Sequence, residues 1–115
     1  MKTAIHTQRF VLRVQHRLTQ QPYPEIHHGH SCDVEVSLNR AYTAEDAKVI
    51  TAKVIAPLDG HLLNEILAQA TGERLVDWIF RELEGSILGS SLQAVAIQET
   101  PKNRFVASRS PLFLG

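Results

Sequence analysis

His28-Gly29-His30-Ser31-Cys32-Asp33-Val34-Glu35-Val36-Ser37-Leu38-Asn39 is the stretch on which the reading of this chain turns. Cys32, Val34, Val36 and Leu38 alternate with Asp33, Glu35, Ser37 and Asn39, the period of a strand with one dry face. His28 and His30 stand at i and i+2 where that extended chain begins. Residues two apart on a strand point to the same side, so both imidazoles can reach one ion, and Gly29 leaves the opposite face unobstructed.

Working outward, residues 5–16 alternate in part, with Phe10, Leu12 and Val14 on one parity and Arg9, Val11 and Arg13 on the other. This reads as a first strand ending at His16. Gln20-Gln21-Pro22-Tyr23-Pro24 cannot extend it, because proline supplies no ladder donor. A hairpin-like return through that loop would bring His16 beside His28 and His30. Three neutral imidazoles with one open position is the pattern of a catalytic zinc site rather than a structural one. Taken alone, the same histidines also read as ordinary surface residues.

Downstream, Thr43-Ala44-Glu45-Asp46 has the form of a capping box. Ala47, Val49, Ile50, Val54 and Ile55 follow as a helical stripe, with Pro57 expected to stop it. Leu62, Leu63, Ile66 and Leu67 add a short helical face. A second main helix starts at Thr71 or Gly72, buries Leu75, Val76, Ile79, Phe80 and Leu83, and stops at Gly85. Residues 92–99 and 104–108 read as closing strands. The order β-β-α-α-β-β predicts an α+β fold, with two helices on one face of a four-stranded antiparallel sheet.

One domain accounts for residues 1–115. Twelve Lys plus Arg balance twelve Asp plus Glu, so no global field favours nucleic acid or an anionic membrane. No apolar run approaches the roughly 20 residues of a membrane-spanning helix. Met1-Lys2-Thr3 leads directly into alternating sequence, without the apolar middle of a signal peptide, and a cytoplasmic location is expected. The single Cys32 excludes a disulfide framework, and its place on the dry parity reads as a small buried hydrophobe.

In order along the chain, His16, His28-Gly29-His30, Leu58-Asp59, Leu63-Asn64-Glu65, Thr71-Gly72-Glu73 and Glu99-Thr100 resemble the 6-pyruvoyl-tetrahydropterin synthase / 6-carboxytetrahydropterin synthase family. The resemblance runs over roughly residues 5–107. It implies a tunnelling fold, in which ββααββ subunits join their sheets into a ring, as a homo-oligomer (trimer or hexamer). It also implies Zn2+ held by His16, His28 and His30, and a small-molecule pterin substrate gripped by Glu99. A carboxylate can accept two parallel N–H bonds from the guanidine-like edge of a pterin, as it would from arginine. Thr71 and Glu73 match the family's T-x-E segment near the pterin, although Thr71 reads equally well as a helix N-cap.

The chain departs from the synthases in three places. No Cys precedes the His-Gly-His; instead Glu25-Ile26-His27-His28-Gly29-His30 resembles a sub-group in which Glu replaces Cys. That sub-group is associated with cleaving the side chain of 7,8-dihydroneopterin triphosphate to a folate precursor, with Glu25 as the general base. Where the family has Asp-His, this chain keeps Asp59, replaces the His with Gly60, and places His61 next. The connection Asn39-Arg40-Ala41-Tyr42-Thr43-Ala44-Glu45-Asp46 lacks the family's G-x-x-x-D-F segment. The expected activity is therefore a zinc-dependent pterin lyase or synthase, with Glu25, Asp59 and His61 moving protons. The alternative is a relative that binds a pterin or purine-like ring without turnover. The residues name neither the pathway (folate, biopterin or queuosine-type) nor the basic groups for the triphosphate.

Overall fold

Two long strands set the frame. In the computed structural model, which describes residues 4–17, 27–61 and 71–110, with side chains for 4–14, 31–61 and 71–110, β1 (His6–Arg17) pairs antiparallel with β2 (His27–Leu38). β2 pairs with β3 (Leu92–Thr100), and β3 with β4 (Asn103–Ser108), giving a sheet in the order β1-β2-β3-β4. Between β2 and β3 lie α1 (Ala44–Ile50), a π-helical turn (Thr51–Ile55), α2 (Ala56–Leu58) and α3 (Gly72–Glu84). The expected α+β tunnelling-fold architecture is thus present. Among the described residues, no helix is long and apolar enough to cross a membrane.

Strand parity decides the core. Leu12, Val14, Cys32, Val34, Val36, Leu38, Val95 and Ile97 leave the sheet on one face and meet Ile50, Val54, Leu58, Leu75, Ile79 and Leu83 from the helices. Each of these is buried, and removal of such side chains from water is the main driving force of the fold. Arg9, Val11 and Arg13 take the opposite parity and are exposed, as expected. β3 is buried on both parities from Ala94 to Ile97; the parity away from the helices carries only the small Ala94 and Ala96, between β2 and β4. An extra residue, Gln93, bulges where Leu38 pairs with Leu92 and Ser37 with Ala94.

Pro57 does not stop the first helix. The chain stays helical to Leu58, because the turn Thr51–Ile55 widens and Ala56 N–H donates to the Thr51 carbonyl, five residues back. Widening moves the carbonyls that a proline ring would otherwise strike, and Pro57 sits in the first turn of α2, where its missing N–H is of little consequence. Ile50, Val54 and Leu58 form the fully buried stripe; Val49, expected within it, is only half-buried. The second expected helical face, at Leu62, Leu63, Ile66 and Leu67, lies outside the described residues. α3 buries Leu75, Val76, Ile79 and Leu83 as read, leaves Phe80 half-buried, and ends at Gly85.

The capping box is real. Thr43 Oγ1 accepts from Asp46 N–H at 3.2 Å, and Asp46 returns a carboxylate oxygen to Thr43 N–H at 2.8 Å. Asp46 is 1% exposed, and burial alone would favour its neutral form. Arg40 reverses that balance with two bonds, at 2.6 and 2.9 Å, holding the carboxyl down to about 2. Arg40 Nε also donates to Ser91 Oγ at 3.1 Å, tying the start of α1 to the entry of β3. A carboxyl depressed on folding stabilises the native state above its unfolded value near 4 and loses that contribution as pH falls towards 2. Asp46→Asn should therefore lower stability at pH 7 by about 1–3 kcal/mol. Denaturant titrations from pH 7 to pH 2 should show a flatter acid limb for the variant than for the wild type.

Candidate functional site

The β1–β2 register brings the histidine positions together. His16 pairs directly with His28, and Val14 with His30, at the end of the sheet where the two strands connect. All three share strand parity with Leu12, Val14 and Cys32, the parity that faces the helices. The side chains of His16, His28 and His30, and the whole of Glu25, lie outside the described residues. Among the described residues, no three His, Cys, Asp or Glu side chains converge as a metal site.

Glu99 arrives at the same end from β3. Asp33 pairs with Gln98, so Glu99 comes beside Cys32, two residues from His30. Its negative charge is felt by the Cys32 thiol. Cys32 is 3% exposed; burial first, then Glu99 and Asp33, push its thiol up to about 11. A thiol so displaced stays protonated at neutral pH, which agrees with its reading as a packed apolar group and not a base. Half-buried Glu99 lines a cleft of about 630 Å³ together with Ser31, Cys32, Thr100 and Arg104. On the exposed sheet face, Arg104 reaches from β4 over β3 to Glu35, with bonds of 3.0 and 3.1 Å that hold the Glu35 carboxyl below its usual value.

Asp59 is placed by a residue that reading the sequence did not single out. Its Oδ1 accepts from Arg13 N–H at 2.9 Å and from Arg13 Nε at 3.2 Å, and its Oδ2 accepts from Nη2 at 2.6 Å. These bonds hold the carboxyl down to about 2, with the charge of His61 adding to the effect. Asp59 is therefore held as an anion by a guanidinium. Gly60 turns with φ +75° and donates its N–H to the Arg13 carbonyl at 2.8 Å, and exposed His61 follows. No signal within either segment pairs Arg13 with Asp59 across 46 positions; only the fold joins them.

Thr71 is a helix cap: its hydroxyl accepts from Arg74 N–H at 3.3 Å, in the N-cap position of α3. Glu73, in the first turn of α3, is exposed on a groove of about 930 Å³ between α3 and β4, with Asp77, Phe80, Phe105 and Arg104. Within one chain, Glu73 and Glu99 thus line different clefts that share Arg104.

An antiparallel sheet in the order β1-β2-β3-β4, one face covered by helices inserted between β2 and β3, defines the α+β tunnelling-fold class. The profile of the 6-pyruvoyl tetrahydropterin synthase family matches residues 5–110, and the chain belongs to that family, whose members are pterin lyases. The structure superposes on 6-pyruvoyl tetrahydropterin synthase from Caenorhabditis elegans with TM-score 0.72 at 22% identity, covering 96% of this chain and 99% of that one. An uncharacterized protein from Wolinella succinogenes gives TM-score 0.73 at 13% identity, covering 96% and 100%. A Plasmodium vivax 6-pyruvoyltetrahydropterin synthase, described as a catalytic residue mutant with a glutamate replaced by alanine, gives 0.63 at 14% identity, covering 93% and 99%. No curated protein matches the sequence.

The Thr71-Gly72-Glu73 segment also carries a packing constraint independent of chemistry. A Cβ on Gly72 would lie 2.3, 2.4 and 2.7 Å from three ring atoms of Phe105 on β4. Glycine is needed there because the aromatic ring occupies the side-chain position, locking α3 against the edge strand. Gly72→Ala should destabilise the protein by about 1–3 kcal/mol through overpacking. Adding Phe105→Leu should recover part of the loss, read as the shift in denaturation midpoint.

Proposed function

We propose that the chain is a zinc-dependent lyase acting on 7,8-dihydroneopterin triphosphate or a closely related pterin. The observation that carries the reading is the register: His16 opposite His28, and Glu99 beside Cys32, at one end and on one parity of the sheet. That donor set fits zinc, since three imidazoles on paired strands leave a coordination position for substrate. His16, His28 and His30 would hold the ion, whose chemistry there is Lewis-acid polarisation of the substrate's side-chain oxygens. Glu99 accepts the paired N–H groups of the pterin's guanidine-like edge.

Glu25 is the general base. It removes the proton of a side-chain hydroxyl, the adjacent C–C bond breaks, and the bonding pair passes into the pterin ring. His61 returns a proton to the carbon of the ring fragment, while the departing fragment leaves as an aldehyde. The Plasmodium vivax relative, in which the residue described as catalytic is a glutamate, supports a carboxylate in this role. A second reading is a family member that binds the pterin without turnover; it is favoured by the capture of Asp59 by Arg13, which removes one proton carrier.

Metal analysis of untagged protein should find close to one zinc per chain, and His28→Ala/His30→Ala should lose it; full retention would show the ligands to be elsewhere. With 7,8-dihydroneopterin triphosphate and chromatographic detection, Glu25→Gln should cut turnover by about 10²–10⁴-fold with zinc and pterin binding intact. Glu99→Ala should instead weaken pterin binding. Wild-type turnover in Glu25→Gln would remove Glu25 as the base, and pterin binding without product would establish the second reading.

β1 and β4 are the two edges of the sheet, and natural proteins pair or cover such edges. We propose that copies of this chain close their sheets into a ring, as a trimer or hexamer, with the groove between α3 and β4 filled at the junction. Light scattering at micromolar concentration should report three or six times the 12.9 kDa chain mass. A monomer would contradict the ring.

A further inference from the structure

Arg13 meets the turn after α2 with both its side chain and its main chain. Three donors of Arg13 close on the Asp59 carboxylate, at 2.9, 3.2 and 2.6 Å, and the Arg13 carbonyl accepts from Gly60 N–H at 2.8 Å. The N–H and C=O of Arg13 thus face away from β2, so the turn caps the free edge of β1 at this residue. The Arg13 side chain is 73% exposed and that of Asp59 24%. An ion pair so open to water adds little stability by itself. What it does supply is geometry: a two-pronged guanidinium, with main-chain bonds on either side, allows one arrangement of the turn. That turn leads directly to His61, and Arg13 stands three residues before His16, about 10 Å along the strand.

We propose that Arg13 is a positioning residue, which pins residues 59–60 to β1 and thereby fixes His61 relative to the His16 end of the sheet. The inference rests on the lyase reading and deepens it. Asp59 becomes the anchor of the turn, and proton transfer on that side falls to His61 alone. Gly60, at the place where the family has histidine, is the residue that lets the chain bend onto the Arg13 carbonyl.

The test uses the full-length protein with Arg13→Ala, Arg13→Lys, Asp59→Asn and the Arg13→Ala/Asp59→Asn double variant. Arg13→Ala should speed amide exchange at Gly60 about tenfold and lower kcat by about 10–100-fold, with KM and zinc content unchanged. Asp59→Asn should do the same, and the double variant should be no worse than either single one, because one clamp is lost in all three. Arg13→Lys should restore part of kcat. In cobalt-loaded protein, the paramagnetic displacement of the His61 ring protons should shrink in Arg13→Ala. Wild-type kcat and an unmoved His61 in Arg13→Ala would overturn the proposal. So would an inactive Asp59→Asn beside a fully active Arg13→Ala, which would make Asp59 a proton carrier in its own right. Absence of turnover in the wild type defeats the lyase reading instead; the clamp then stands or falls on whether Arg13→Ala accelerates Gly60 exchange and moves the His61 ring.

Discussion

The antiparallel ladder between β1 and β2 runs unbroken from His6 against Leu38 to Arg17 against His27, and the rest of the molecule depends on its register. A slip of one residue would put Leu12 and Val14 on the opposite face from Val34 and Val36, so that one strand would turn its apolar set out of the core and its polar set, Arg13 or Glu35, into it. The same slip would separate His16 from His28. Core and candidate site are therefore specified by one constraint: the hydrophobic half of each strand fixes a register that the histidine half inherits. The strand ends that hold the histidine positions need no separate folding information.

Several arginine–carboxylate pairs among the described residues tie elements together, and three of them do so through paired hydrogen bonds. Arg40 and Asp46 join the start of α1 to β3 through Ser91, Arg104 and Glu35 span β3 on the exposed sheet face, and Arg13 and Asp59 join the end of α2 to β1. They are not equivalent. Asp46 is buried, so its partner is obligatory; losing it would leave a desolvated charge. The other two pairs are open to water and act mainly by direction, choosing one orientation among several that the core would accept.

The T-x-E segment shows how a family motif can carry two meanings in one chain. Thr71 caps α3, Gly72 makes room for Phe105, and Glu73 is exposed on the groove beside β4. Two of the three residues are thus accounted for by packing and capping within the protomer. Glu73 has no such duty among the described residues, and it lines the groove between α3 and β4. Within the protomer, Glu73 and Glu99 therefore stand on two separate clefts, joined only through Arg104.

The sequence by itself determined what depends on short-range periodicity and local hydrogen bonding. Strand parity from Phe10 to Val14 and from Cys32 to Leu38 is legible because alternate side chains must share a solvent. The Thr43–Asp46 cap and the stripe of α3 are legible because helices repeat and their first N–H groups need partners. The histidine spacing was visible for the same reason, as parity on a strand. Only the tertiary structure decided which residues separated along the chain would meet. Arg13 finding Asp59, Arg104 finding Glu35 and Glu99 coming beside Cys32 leave no periodic trace, since each is a juxtaposition of distant segments that exists only once the register is set. Helix continuation through Pro57 belongs with them: local rules end a helix at proline, and burial of Leu58 together with a widened turn carried it one step further.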